Sequence, residues 1–526
     1  MSAQMKLATY NGRTHRFAPT VSMIAKHLVK ERSDYIYIQP NNMINKKRIC
    51  FILGTLLYIE ALLMALCSGF GFYHHESDKE AFLISAGIAI IVGAMLNFIG
   101  RGADRRFSRR DGYVIVSVSW IVFSLIGMLP YLLSGHISSV TDAFFETMSG
   151  FTTTGASILT DIEALPHGLL FWRSMTQWIG GLGIIFFTLA VLPVFGVGGV
   201  QLFAAEATGP RHNKVHPRIE VTAKWIWSIY LGLTLVCAAC YVAGDMEWFD
   251  SICHAMCTTS TGGFSTRNAS IGAFGSAYIE YITILFMFLS GINFTLLFYT
   301  FFKGRVKRLF TDTEFRWYIG IVLSFTLVIT VGLIISRGGH IEESFREALF
   351  QVVSVQTTTG FISADYMLWP PLLWFLLSML MYFGACAGST SGAIKCVRIA
   401  MLLKVARNEF LRIVHPNAII PLRVSGNVIH SKAKITLLAF FVLYALVVFV
   451  GWTLMMAFGL DFMEAYGVVV SSVSNIGPAL GDCAALNSWA PLPAAAKWLS
   501  AFLMLIGRLE LFSILLLLTP GFWKKR

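Results

Sequence analysis

The sequence predicts an all-α, polytopic membrane protein: four span–pore-helix–span repeats in a pseudo-fourfold arrangement, preceded by an N-terminal two-helix hairpin. Three observations predict it. The 526 residues are 56% hydrophobic and only 13% charged, where soluble domains carry roughly 25% charged residues; the mean hydropathy is +0.67. Apolar runs of about 20 residues, long enough to span a bilayer core, recur along the chain. Between some of them lie four shorter, more polar segments that repeat one pattern, the sign of a repeated structural unit.

Residues 1–48 are polar and basic and carry no cleavable signal pattern. A cytoplasmic tail, a surface helix over "MIAKHLVKE" and an extension upstream of a start at Met43 all fit them. The hairpin follows (49–110), with apolar segments at 49–72 and 81–100. Repeat one (111–210) has its spans at 113–134 and 168–194, and repeat two (211–310) at 223–244 and 277–302. Repeat three (311–425) has them at 317–336 and 371–403, and repeat four (426–526) at 433–459 and 494–519. That makes about ten spans, and an even number returns the C-terminus to the side of the N-terminus.

The net charge is +12. Its basic residues cluster between apolar segments, in "RGADRRFSRRD", "RHNKVHPR", "KGRVKR", "KVARNEFLR" and the terminal "KKR". This is the positive-inside pattern and puts both termini in the cytoplasm. No recognition motif accompanies the charge, so nucleic acid is not an expected partner. Cys237 and Cys240 stand alone in an apolar run, too few ligands for a zinc site and read as helix-packing thiols.

The four polar segments align. "DAFFETMSGFTTTG" starts at Asp142, "DSICHAMCTTSTGG" at Asp250, "EALFQVVSVQTTTG" at Glu347 and "EAYGVVVSSVSNIG" at Glu464. Each carries its glycine 13 residues after the acid, at Gly155, Gly263, Gly360 and Gly477. The acid suits the positive end of a short helix, whose partly negative C-terminal end then runs into the loop.

Irregular backbone at membrane depth is tolerated only inside protein or along a watery cavity. Four such loops imply one shared cavity, where backbone carbonyls replace the hydration shell of a monovalent cation. The expected filter comprises Thr152, Thr153, Thr154 and Gly155; Ser260, Thr261, Gly262 and Gly263; Thr357, Thr358, Thr359 and Gly360; and Ser474, Asn475, Ile476 and Gly477. The loops hold no carboxylate ring for a divalent ion and no His/Cys cluster for a transition metal. Neutral oxygens suit a large, weakly hydrated ion, potassium first, as transported species rather than cofactor. A coupled H+ or Na+ symporter is the alternative, although it calls for titratable groups that these loops lack. No paired carboxylates or His-rich motif lie within a span, so an enzyme is not expected.

These residues resemble the TrkH family, the potassium-translocating membrane subunits of the bacterial Trk system, in the superfamily that includes KtrB and plant HKT proteins. The likeness begins near residue 45. It rests on "DAFFETMSGFTTTGA", "WIGGLGII", "LPVFGVGGVQLF", "GGFSTRNASIG", "GACAGSTSGAIKCVRI", "VHPNA" and "GRLELF". The extra hairpin favours TrkH over KtrB. The resemblance implies a channel-like K+ pore in the bacterial inner membrane and a homodimer regulated by a cytosolic TrkA-like ring that binds NAD(H) or ATP/ADP. No segment here is large enough for such a nucleotide domain, and "GVGG" (196–199) lacks a dinucleotide-binding context. Gly155 stands where some sodium-preferring plant relatives have serine. "SNIGPALG" departs from the Thr-Thr-Gly theme.

Two further features stand out. "GACAGSTSGAIK" sets Gly384, Gly388, Ser389 and Gly392 in an apolar run, and each glycine costs a helix about 1 kcal/mol relative to alanine. Arg508 lies in the last span, where an arginine marks a functional site or an ion pair such as one to Glu510. The resemblance implies an intramembrane gate loop at the first feature and a pore-facing, K+-repelling cation at Arg508. Lys395 is a further gate candidate, with snorkelling toward the cytoplasm as its alternative.

Overall fold

The structure, a computed structural model, describes residues 44–103, 108–183 and 219–524, apart from positions 339, 419, 426, 430 and 485. The expected tail at 1–42, the stretch "LPVFGVGGVQLF" and the cluster at 211–218 lie outside these residues.

The hairpin is α1 (Lys46–Tyr73) and α2 (Asp78–Ile99). Glycines let the two backbones approach: a Cβ on Gly54 would lie 2.5 Å from the Gly93 carbonyl oxygen. Repeat one follows as α3 (Arg109–Gly127), α4 (Leu129–Leu133), α5 (Val140–Phe151) and α6 (His167–Leu182). Ser108 and Asp111 form a capping box that starts α3. Asp111 Oδ1 also accepts from the Asn45 N–H at 2.8 Å, which ties the foot of the hairpin to repeat one.

Repeat two contains α7 (Ile219–Ala243), α8 (Trp248–Thr259), α9 (Ala277–Ser290), α10 (Phe294–Phe301) and α11 (Val306–Thr311). Repeat three contains α12 (Thr313–Arg337), α13 (Ile341–Gln356), α14 (Pro371–Leu380) and α15 (Cys396–Val414). A small antiparallel ladder, β1 (Arg423–Val424) with β2 (Asn427–Val428), then leads to repeat four. That repeat is α16 (Ser431–Ala457), α17 (Phe462–Ser474), α18 (Ala494–Arg508), α19 (Phe512–Leu517) and α20 (Pro520–Trp523).

Among the described residues six helices are long and apolar enough to cross a membrane, and a seventh crossing results if the bent α9–α10 pair counts as one. They include both hairpin helices and the first long helix of every repeat. Their outward faces carry exposed apolar side chains, for example Ile91 and Met95 on α2, Leu323 and Leu327 on α12, and Val442 and Phe449 on α16, a surface suited to lipid rather than water.

The second helix of a repeat behaves differently. The span expected at 277–302 is two helices bent by 105°. Gly291 ends the first, and the Asn293 side chain caps the second by accepting from the Thr295 N–H at 2.8 Å. The run at 371–403 breaks as its glycines predict, leaving 381–395 irregular between α14 and α15. The span expected at 494–519 breaks after Arg508, where Glu510 and Leu511 take φ of 54° and 51°. A further correction concerns the third short helix. It starts at Ile341 with Glu342 and Glu343 in its first turn, so Glu347 lies a turn deeper than the aligned acids.

Candidate functional site

The four short helices α5, α8, α13 and α17 end in the same way. The residue two before each aligned glycine turns left-handed: Thr153, Thr261, Thr358 and Asn475 have φ of 53°, 53°, 57° and 55°. The N–H of the next residue reaches back five positions in every case. Thr154 donates to Ser149, Gly262 to Cys257, Thr359 to Ser354 and Ile476 to Ser471, at 2.9–3.1 Å. This is the Schellman termination of a helix, normally made with glycine at the left-handed position. Three of the four here are threonine, a β-branched residue for which positive φ is a strained state. The turn commits the N–H of the residue before each aligned glycine to the helix end.

The aligned glycines close these loops into a ring. Gly155, Gly263, Gly360 and Gly477 have φ of 81°, 81°, 77° and 98°. A Cβ on Gly155 would strike the carbonyl oxygen of Gly262, and one on Gly263 that of Thr359. A Cβ on Gly360 would strike the Ile476 carbonyl, and one on Gly477 would lie 2.6 Å from the Thr154 carbonyl oxygen. Loop one therefore abuts loop two, two abuts three, three abuts four, and four returns to one. Among the described residues no hydrogen bond reaches the carbonyl oxygens of Thr154, Thr359 or Ile476. All sixteen predicted loop residues thus come together at one place. Against the ring lies a cavity of about 120 Å³, lined by all four glycines and by Ser157, Arg173, Arg267 and Trp489 among others.

Side chains hold the loops. Thr152 and Thr154 share a hydroxyl contact of 2.8 Å, and Thr357 and Thr359 repeat it at 2.8 Å. The unequal fourth loop is tied to the first: Asn475 Nδ2 donates to Thr154 Oγ1 at 3.0 Å and to the Met504 carbonyl at 2.9 Å. Ser474 Oγ meets the Tyr444 hydroxyl at 2.9 Å.

The irregular segment 381–395 lies against this ring. The Gly392 N–H donates to Thr358 Oγ1 at 2.6 Å, and the Ala393 N–H to the Ser474 carbonyl at 3.0 Å. Thr390 Oγ1 donates to the Thr259 carbonyl at 3.2 Å. The segment thus touches loops three and four and the end of α8. Glycine is required at 392, where a Cβ would collide with the Ser474 carbonyl oxygen, and Gly388 has φ of 77°. Gly384 pairs with Ile394 across the segment, its N–H donating to the Ile394 carbonyl at 2.9 Å. Ser389 Oγ donates to the Cys386 carbonyl at 2.6 Å.

Arg508 joins three elements. Nη1 donates to the Thr390 carbonyl at 2.9 Å, and Nη2 donates to the carbonyls of Gly180 and Gly181 on α6. Its sequence neighbour Glu510 instead pairs with Arg398, so the ion pair considered for Arg508 is made by another arginine. Lys395 is only 4% exposed, and its Nζ donates back to the Ser391 carbonyl. The cytoplasmic snorkelling alternative is therefore not what its side chain adopts.

Three buried polar residues beside the ring escape the sequence analysis. Arg173 and Glu146 form an ion pair with Nε–Oε1 of 3.0 Å and side-chain exposures of 2% and 0%. Glu146 accepts from Ser157 Oγ and the Ile158 N–H at 2.9 Å each, while Arg173 Nη1 donates to the Ser265 carbonyl at 2.8 Å. The pair thus braces the chain just beyond loops one and two. Glu146→Ala is expected to lower stability by about 3–5 kcal/mol, because it strands a buried arginine; a thermal melt in detergent measures this. The third is Gln177 on α6, whose Nε2 donates to the Gly262 carbonyl at 2.6 Å. The polar residues Arg173, Ser174, Thr176 and Gln177 within the span expected at 168–194 are the available signal. Farther out, Arg267 bonds Asp250 at 2.5 Å, and that hydrogen bond lifts its guanidinium above the ordinary arginine value.

The chain matches the TrkH family, described as cation transport protein, over residues 78–524. It is 38% identical over 481 residues to the Trk system potassium uptake protein TrkH of Halomonas elongata, covering 91% of this chain and 99% of that one. The TrkH protein of Escherichia coli K12 is also 38% identical, over 484 residues, with the same coverage. The crystal structure of the potassium transporter TrkH from Vibrio parahaemolyticus superposes with a TM-score of 0.82 at 37% identity, covering 91% of this chain and 99% of that chain. Four short helices ending in one ring, the hairpin before them and these matches agree: the chain is a multi-span membrane protein of the TrkH family of cation transport proteins, not an enzyme.

Proposed function

We propose that this chain takes up potassium ions across the bacterial inner membrane through the ring of four loops, which acts as the selectivity filter of a gated, channel-like pore. The closed ring of carbonyls carries this reading. Every loop spends the N–H of the residue before its glycine on the helix end behind it, and three of the four ring carbonyls have no protein donor among the described residues. Oxygens left in that state can take the place of an ion's hydration shell. The partly negative C-terminal ends of α5, α8, α13 and α17 add to the attraction without a fixed charge.

The segment 381–395 and Arg508 form the gate in this reading. The segment bonds loops three and four and the end of α8, and Arg508 bonds the segment and α6; in this reading an ion leaving the ring passes these peptide and guanidinium groups. The chain works as a homodimer under a cytosolic nucleotide-binding subunit that docks on the basic cytoplasmic loops. The similarity to Trk system proteins supports that partnership.

Protein reconstituted in liposomes is expected to pass K+ and Rb+ and to pass Li+ poorly. The reversal potential in mixed K+ and Na+, with and without the nucleotide-binding partner, is the decisive measurement. A potential that follows the K+ gradient alone supports a pore. One that shifts with the pH or Na+ gradient at fixed K+ favours coupled symport and overturns the channel reading.

A further inference from the structure

The ring has one carbonyl unlike the other three. Thr154, Thr359 and Ile476 present their carbonyl oxygens without a donor among the described residues, whereas the equivalent oxygen of Gly262 accepts from Gln177 Nε2 at 2.6 Å. The same amide returns a second bond. Gln177 Oε1 accepts from the Phe264 N–H at 3.0 Å, so one side chain grips loop two on both sides of Gly263. Gln177 is fully buried, and it comes from α6 of repeat one, not from the repeat whose loop it holds.

This grip explains a sequence difference between the loops. The position before the aligned glycine is Thr154, Thr359 and Ile476 in loops one, three and four and Gly262 in loop two. Gly262 does not have a positive φ, so backbone conformation does not require glycine there. Space does. A Cβ at 262 would overlap the Gln177 amide carbon and oxygen and lie 3.0 Å from Gln177 Cβ. The glutamine fills the volume in which the other loops keep a side chain of their own.

We propose that Gln177 is a positioning residue that sets ion selectivity: its amide fixes the loop-two carbonyl and lowers that oxygen's capacity for the ion, making the ring intrinsically asymmetric. The inference rests on the reading of the ring as an ion filter. The physical reason is local. An oxygen that already accepts a short N–H bond offers less electron density to an ion, and an anchored oxygen cannot shift inward to wrap a smaller one. The number and field strength of coordinating carbonyls are among the quantities that set discrimination in such filters.

Gln177→Met tests this, since it keeps the volume and removes both amide groups. The expected result in liposomes is a change of about two- to tenfold in the K+/Na+ permeability ratio, the range that one intramolecular hydrogen bond is worth. A role limited to folding would reduce the amount of protein in the membrane and leave the ratio alone. The reciprocal test uses Gly262→Ala. Alone it is expected to abolish flux, and in a Gln177→Ala background, where its methyl has room, flux returns. Loss of flux in both backgrounds, or an unchanged ratio in Gln177→Met, overturns the proposal. Gly360→Ser, on a loop that Gln177 does not touch, separates the two readings. If it shifts the ratio while Gln177→Met does not, the clamp is wrong and the filter stands; if Gly360→Ser also leaves the ratio unchanged, the filter reading fails first.

Discussion

Gly360→Ala is expected to lower potassium flux at least about tenfold and to degrade K+/Na+ discrimination in the flux that remains. Two costs coincide at this residue. With φ of 77°, an L side chain there is strained by roughly 1–2 kcal/mol. Its Cβ would also run into the Ile476 carbonyl oxygen and lie 2.7 Å from Pro478 Cδ. Overpacking of this kind costs roughly 1–3 kcal/mol. Relief comes from moving the Ile476 carbonyl, which is itself a ring oxygen, so the strain is spent on the groups that would hold the ion. Gly275 supplies the control. Its φ is 55°, yet nothing lies within 4 Å of its Cβ position. Gly275→Ala should therefore lose about 1–2 kcal/mol of stability by the same backbone strain while flux and discrimination hold. Equal loss of flux in both variants would mean that strain alone matters and that the ring contacts do not.

The four loops were legible because two constraints leave a trace in sequence. Three of the helices carry an acid in their first turn at a fixed spacing from the glycine, and each loop needs a glycine where the neighbouring loop's carbonyl approaches; in the third helix the aligned Glu347 keeps the spacing although the first turn holds Glu342 and Glu343 instead. The order of the ring was not legible, since it depends on which Cβ meets which carbonyl across roughly a hundred residues of chain. The left-handed residues were hidden for another reason. Positive φ is ordinarily read from glycine, and here threonine and asparagine adopt it under the constraint of the Schellman turn. Asn475 is the one with a common tendency to do so, which gives the departure of "SNIG" from the other loops a physical basis.

The spans were legible as apolar length, but their breaks were legible only at 384–392, where glycines are dense. At 291–293 only a single glycine and an asparagine cap mark the break in sequence, and at 509–511 Glu510 and Leu511 turn without any glycine. Tertiary bonds decide both places. The Phe294 N–H donates to the Gly388 carbonyl at 3.0 Å, so the bend after α9 is fixed by the irregular segment of the next repeat. Likewise, Arg173, Glu146 and Gln177 are intelligible only in pairs with residues of another helix or loop. Read singly they are polar residues on an apolar helix, and nothing local says what they hold.

Arg508→Ala is expected to raise flux about tenfold or more when no partner subunit is present, while lowering thermal stability. The two effects have separate origins. The guanidinium bonds the Thr390 carbonyl of the irregular segment and the Gly180 and Gly181 carbonyls of α6. It pins that segment against the ring, and its removal frees those buried carbonyls, each at a cost of about 1–3 kcal/mol. The charge acts on the ion itself. Repulsion between two unit charges a few ångströms apart is on the order of 2–4 kcal/mol at an effective dielectric near 20. Both consequences of removal ease passage, although one also weakens the fold. Arg508→Lys distinguishes them. Lysine keeps the charge but cannot span three carbonyls with a planar fork. Flux in Arg508→Lys near that of the unaltered protein would assign the barrier to charge. Flux approaching that of Arg508→Ala would assign it to the tether on 381–395. Flux that falls or stays constant in Arg508→Ala would remove Arg508 from the gate altogether.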